Sequence, residues 1–233
     1  MAHAVKFHPS LSLLEQYTEG TLAAELSLVV AAHLDFCPHC QQLRHDIEAD
    51  IGCQLAQQSA ASADGEEWQQ MLQQILSPDA ATTTQGSVET ASSTESETVA
   101  THIEQGQHRI EIPRSLQRLA AKRKKWLQLG GIATAKLPSG DDNHLSLLLI
   151  ESNTEVPLHT HKGLEITLVL AGEMVDEMGK YAAGDLIINT PDHTHTPKNI
   201  SHEPCLCLSV LTAPLEFKQG LTRLLNPLQR FFY

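Results

Sequence analysis

At 233 residues, with 41% hydrophobic, 4% aromatic and 19% charged residues, the chain can bury one large core or two small ones and has the composition of an ordinary soluble protein. A formal net charge of −12 has the wrong sign for direct binding to DNA or an anionic lipid surface and suits a basic partner. The opening MAHAVKFHPS lacks the apolar stretch of a secretion signal, no run of about 18 apolar residues follows, and the expected location is the cytoplasm. Five cysteines, an odd number, then argue for reduced thiols and metal binding over a disulfide framework.

The first predicted element is a short helix whose stripe is Leu11, Leu13, Leu14 and Tyr17, with Ser12 and Glu15 at capping-box spacing and Gly20 as the stop. A second helix over about residues 21–35 repeats Leu22, Leu26, Val29, Val30 and His33 at three- and four-residue intervals, so one face is buried. A third runs from about Pro38 through Leu43, Ile47, Ile51 and Leu55. Trp68, Leu72, Ile75 and Leu76 mark a fourth, which Pro78 ends.

Where the second helix meets the third, His33, Cys37 and Cys40 form an H-x3-C-x2-C cluster. A four-residue step keeps His33 and Cys37 on one side, and the Cys-Pro-His-Cys turn brings Cys40 round to the same point. A closed tetrahedral zinc site needs a fourth N or S donor, for which His8 is the first choice and His39 and His45 are the others. Four protein ligands leave no position for substrate, so this zinc would add folding energy to a small bundle. The plainer alternative is a pair of buried helix-junction cysteines beside an incidental histidine. His8, His33, Cys37 and Cys40 in this order resemble the signature of the zinc anti-sigma domain. That resemblance implies a four-helix unit gripping an extracytoplasmic-function sigma factor.

Residues 77–101 are rich in Ser, Thr and Glu and nearly without apolar residues, so a linker is expected over 78–110. A tether of about 30 residues spans roughly 30 Å and lets the flanking domains move independently or meet. Ile112, Pro113, Leu116 and Leu119 suggest a short helix or hinge over 111–121, with 1–77 as the helical domain and 122–233 as a second domain. The basic run from Lys122 to Lys125 reads as a solvated hinge more readily than as a binding patch.

From Trp126 onward the sequence turns to short β-type runs, WLQLGGIATA, HLSLLLI, LEITLVL, GDLIINT and CLCLSVL, divided by Gly, Pro, Asn and Asp. Such spacing predicts an all-β barrel or sandwich, and the fold class is therefore two domains, an all-α bundle and an all-β barrel. Within it His159, His161, Glu165 and Gly172 fall as H-x-H-x3-E-x6-G, and Gly184, His195 and Asn199 as G-x10-H-x3-N. The two-residue period of a strand puts His159 with His161 on one face, and a later strand brings His195 to close the set. Both patterns resemble the two cupin motifs, which implies a double-stranded β-helix holding a metal. Pro191 sits one place late and His193 stands where glycine is usual, which leaves His193 as a rival to His195.

Three histidines and a glutamate suit Zn²⁺, Mn²⁺, Fe²⁺ or Ni²⁺. Cys205 and Cys207 lie two apart on the last run and face the same way, able to pair, to be oxidised or to fill the wall; filling the wall is the simplest reading. A zinc anti-sigma domain followed by a cupin is similar to the ChrR-like anti-sigma factors. The resemblance implies a transcription regulator and no enzyme, with zinc in the first domain. It also implies release of the sigma factor when the cupin meets singlet oxygen or a related oxidant. By analogy with other cupins a homodimer through the barrel is possible. The rival readings are a cupin metalloenzyme, a dioxygenase or small-molecule hydrolase with a helical regulatory domain, and a ligand-binding cupin.

Overall fold

A computed structural model describes residues 4–57, 65–76, 99–140 and 143–218. Helix α1 is Leu11–Glu19, α2 Ala24–Leu34, α3 Pro38–Gln57 and α4 Glu66–Leu76. Ser10 caps α1, where Ser12 with Glu15 was the expected cap: the backbone at Ser10 is extended, and its hydroxyl accepts the Leu13 amide at 3.2 Å. Ser12 lies two residues further on, inside the helix, where its hydroxyl accepts from Gln16. Among the described residues no helix is long and apolar enough to cross a membrane.

Strands β1 (His102–Gln105) and β2 (His108–Glu111) pair as a hairpin. The expected linker over 78–110 therefore ends sooner than its composition suggests, because Ile103, fully buried, anchors the hairpin. Residues 78–98 of that linker, Pro78 included, lie outside the described residues. A 3-10 turn over Arg114–Leu116 runs into α5 (Gln117–Ala121), where the short helix or hinge was expected.

The remaining strands are β3 (Leu127–Leu129), β4 (Ile132–Lys136), β5 (His144–Ile150), β6 (His159–His161), β7 (Glu165–Ala171), β8 (Glu173–Val175), β9 (Lys180–Ala182), β10 (Leu186–Asn189), β11 (Thr194–His195), β12 (Cys205–Leu211) and β13 (Leu215–Phe217). They form a six-stranded sheet in the order β10-β7-β12-β5-β4-β3, a three-stranded sheet in the order β11-β6-β13, and the hairpin β8-β9. This is the β-sandwich of a cupin.

By contacts the chain divides into one unit of Met1–His45 with Val99–Tyr233 and another of Asp46–Thr98. That division differs from the one composition suggests, and the reason lies in the six-stranded sheet. Its strands read as nearly continuous apolar runs, which is the mark of a sheet covered on both faces. Leu206, Leu208 and Val210 of β12, with Ile166, Leu168 and Leu170 of β7, pack against Val29 and Ala32 of α2, Leu116 and Ala120. The alternate residues Cys205, Cys207 and Val169 face the barrel interior with Ile150, Met174 and Ile187. Each leucine so buried contributes about 1.5–3 kcal/mol, and the first unit is one cooperative core from this packing.

Candidate metal centres

The N-terminal group grows out of a helix junction. α2 ends at Leu34, the Cys37 amide donates to the His33 carbonyl at 3.0 Å, and Pro38 opens α3 at the position where a missing N–H costs nothing. Cys37 thereby caps α3, and its Sγ accepts the Cys40 amide at 3.4 Å. A thiolate there faces the positive end of the helix dipole. His8, on the extended segment before α1, places Nδ1 at 3.4 Å from both Cys37 Sγ and Cys40 Sγ. The ligand atoms of His8, His33, Cys37 and Cys40 all lie within 4.8 Å of one another. His39 and His45 are exposed and stand outside the group, although the His39 ring is 5.5 Å from that of His8.

The donor chemistry fits a closed zinc site. His33 is completely buried, its Nδ1–H donates to the Gly184 carbonyl at 2.8 Å, and its Nε2 has no hydrogen-bond partner although it is buried. Buried imidazole held in this tautomer offers a bare lone pair, which a cation would satisfy. Burial, opposed by the bond to Gly184, holds His33 down to about 4, so it stays neutral. Burial also pushes the metal-free Cys40 thiol up to about 12. Bare, the group is two thiols and two imidazoles; with Zn²⁺ the thiols lose their protons and the site becomes neutral overall. Tetrahedral bonds of about 2.0–2.3 Å put donors roughly 3.6 Å apart, close to the spacing of His8 from the two sulfurs.

The second group joins the two sheets. His159 and His161 end β6, His195 lies opposite His159 on β11, and Glu165 begins β7 opposite Asn189. The Nε2 atoms of His159 and His161 are 3.1 and 3.2 Å from Nε2 of His195, and Glu165 Oε2 is 3.1 Å from His161 Nε2 and 3.5 Å from His195 Nε2. His159 Nδ1–H donates to the Pro157 carbonyl at 2.8 Å and His195 Nδ1–H to Asp176 Oδ2 at 3.2 Å. Both rings therefore turn lone pairs toward each other, an arrangement that a shared cation resolves. Burial takes His159 down to about 4. Burial alone would raise Glu165, but the hydrogen bond from His161 and the charges of the three histidines hold it down to about 2. Burial pulls His195 down, yet Asp176 and Glu165 win and its affinity for protons is raised.

His193 is already employed in the turn, where its Nδ1 accepts the Thr190 amide at 3.1 Å and its carbonyl accepts Thr160 Oγ1 at 2.7 Å, so His195 alone of the two reaches the group. Asn199 ties a loop, donating to the Ile150 and Glu203 carbonyls at 2.9 and 2.8 Å. Gly172 has φ 76°, and a Cβ there would stand 2.4 Å from the Pro204 carbonyl oxygen. Cys205 and Cys207 are both fully buried with Sγ atoms 3.7 Å apart, and the bond from Cys205, with burial, pushes Cys207 up. A cavity of about 360 Å³ opens inside the barrel beside His159, Glu165 and His195, walled by Leu148, Met174, Ile187 and Leu211.

Two side chains escaped the sequence reading. Asp176, which orients His195, sits in a turn with no spacing signal. Glu25 is a buried carboxylate that accepts the Gly140 amide and Asn143 Nδ2; the Gly140 bond and burial act in opposite directions, and the first lowers its proton affinity. No apolar periodicity marks such a residue.

A pH dependence follows. In the metal-free chain, His33 and His159 bind protons less readily folded than unfolded, so the unfolded state carries more protons between about pH 6.5 and 4. Their contribution to stability is complete above about pH 6.5 and drains away as pH falls toward 4. Urea midpoints of metal-free chain should decline across this window. A flat profile there would show that neither ring is held neutral by the fold.

A family model described as the ChrR cupin-like domain matches residues 117–214. The anti-sigma-E factor ChrR of Cereibacter sphaeroides is 32% identical over 232 residues, 97% of this chain and 99% of its own. A chain of the crystal structure of Rhodobacter sphaeroides SigE in complex with the anti-sigma ChrR superposes with a TM-score of 0.65 at 28% identity, covering 89% of this chain and 100% of that one.

Proposed function

Since the chain belongs to the ChrR family of anti-sigma factors, we propose that it sequesters an extracytoplasmic-function sigma factor in the cytoplasm and releases it under oxidative stress of the singlet-oxygen type. The observation that carries this reading is kinship along essentially the whole chain, helices and cupin together. The protein is on this reading a regulator and not an enzyme. His8, His33, Cys37 and Cys40 hold Zn²⁺ and shape the partner-binding helices. His159, His161, Glu165 and His195 hold Zn²⁺ or another divalent transition metal, for which nitrogen and carboxylate donors suit Mn, Fe and Ni equally. A metal held there would draw three imidazoles and one carboxylate into a single sphere, and on this reading the oxidant acts at that centre.

The partner surface has support in α4. Trp68, Met71, Leu72 and Ile75 follow the three- and four-residue spacing of one helical face and are 57, 43, 54 and 66% exposed. Large apolar side chains left in water at that spacing are the material of a helix-in-groove interface. The charge of −12 adds attraction for basic sigma-factor surfaces and makes the encounter salt-dependent.

Purified chain mixed with its cognate sigma factor should give a one-to-one complex by light scattering. Trp68→Ala should weaken it about 30-fold, as a loss of about 2 kcal/mol at a hot spot requires, with metal content unchanged. Light scattering of the chain alone reads whether barrels pair. Absence of any complex with full-length chain would end the proposal. In the same assay Glu165→Gln should leave binding in place and abolish release by photogenerated singlet oxygen; normal release would remove the barrel centre from the sensing role.

A further inference from the structure

A continuous set of contacts joins the segment that carries His8 to the residue that orients His195. Phe7, next to His8, is clamped by its backbone. The Lys6 and Phe7 amides donate to Asp185 Oδ1 at 2.6 and 3.0 Å, and the Phe7 carbonyl accepts the Leu186 amide at 3.0 Å. Asp185 is fully buried and its other oxygen takes the Ala182 amide at 2.9 Å. One residue earlier, the Gly184 carbonyl accepts from His33. The same strand-and-turn segment thus touches two of the four N-terminal donors or their neighbours.

The side chain of Phe7 makes the second connection. Its ring meets the edge of Tyr181 with centroids 4.8 Å apart. Tyr181 is 2% exposed and its hydroxyl donates to Asp176 Oδ1 at 3.0 Å, while Asp176 Oδ2 accepts from His195 Nδ1 at 3.2 Å. The Met178 and Gly179 amides also donate to Oδ1, at 2.8 and 3.1 Å. A carboxylate is planar and rigid, so a rotation that releases His195 from one oxygen displaces Tyr181 from the other. Phe7 is joined to His8 by the chain itself, and the links from Tyr181 through Asp176 to His195 are partly buried hydrogen bonds, where each bond holds its neighbours in orientation.

We propose that Asp176 and Tyr181 are positioning residues that couple the two metal centres. A metal held through His195 keeps Asp176 oriented, Asp176 holds Tyr181 against Phe7, and Phe7 holds His8 in place beside Cys37 and Cys40. Loss of His195 from the barrel metal loosens the N-terminal centre, and by reciprocity loss of the N-terminal metal weakens the barrel centre. The inference rests on both groups holding metal, as proposed above, and supplies a physical connection by which an event in the barrel reaches the helices.

Cobalt distinguishes the sites, since only the N-terminal group offers cysteine ligands and so only there does Co²⁺ give thiolate charge-transfer absorption. In full-length chain loaded at both centres, a chelator should strip that absorption at least roughly five-fold more slowly than in a chain whose barrel is empty. Two barrel-empty samples serve, His159→Ala and His161→Ala. Tyr181→Phe keeps the ring against Phe7 and loses only the hydroxyl, and it should bring the loaded-to-empty ratio close to one. Phe7→Leu should do the same from the other side. A wild-type rate indifferent to barrel occupancy, or a Tyr181→Phe chain that keeps the full dependence, overturns the coupling while leaving the metal assignments standing. Fewer than two metals per chain, or no charge-transfer band, overturns both together.

Discussion

Replacing Cys37 and Cys40 together by alanine is expected to remove one metal equivalent per chain and lower capture of the sigma factor at least about 100-fold. The fully or nearly buried apolar residues of α1 and α2 are few, Leu14, Val29, Val30, Ala32 and Leu34, and part of that set is committed to the cupin sheet. Three of the four donors, His33, Cys37 and Cys40, stand on the turn between α2 and α3, so a metal held there would lock a junction that otherwise has only its hydrogen bonds. Apparent zinc-binding energies in small domains are about 10–16 kcal/mol, far above the 2.7 kcal/mol or so that a 100-fold loss represents, so even a small fraction spent on helix geometry produces the effect. Removal of the sulfurs also strands His33, whose buried Nε2 then faces no cation and no hydrogen-bond donor. Elemental analysis and a binding titration on the same sample check both halves. Sigma capture at wild-type strength in a chain lacking that metal would separate the centre from the partner surface.

Gly184→Ala should cost about 2–4 kcal/mol of unfolding free energy, from backbone strain of about 1–3 and overpacking of about 1–3 that relax in part together. Gly184 has φ 94°, and a Cβ there would lie 2.7 Å from Val5 Cγ2 and 2.9 Å from Phe36 Cβ. Neither neighbour yields easily, since Phe36 sits in the turn before Cys37 and Val5 leads into the Phe7 clamp. Gly106→Ala is the control, with φ 59° but nothing within 4 Å of the new Cβ, so it should carry the backbone strain alone. Urea midpoints for the two variants, read at equal m-value, measure the difference. Equal losses would mean that the N-terminal segment is not pressed against the Gly184 turn.

The sequence by itself determined the local parts of this protein. A helix repeats every 3.6 residues and a strand every two, so His33 with Cys37, and His159 with His161, were legible as neighbours from their spacing, and each apolar run from 126 to 211 could be read as β structure. Tertiary structure decided what no local period encodes. It chose His8 over His39 and His45, and His195 over His193, because those choices depend on chain segments meeting across long separations and on hydrogen bonds already spent in a turn. It folded residues 102–111 into a hairpin where composition suggested tether. It also laid α2 on the outer face of the cupin sheet: the spacing of Val29 marked a helix face that must be buried, but nothing in that spacing named β12, some 175 residues further along the chain, as what covers it. Hydrophobic attraction is non-directional, so a sequence records that a face must be covered, while shape and packing select what covers it.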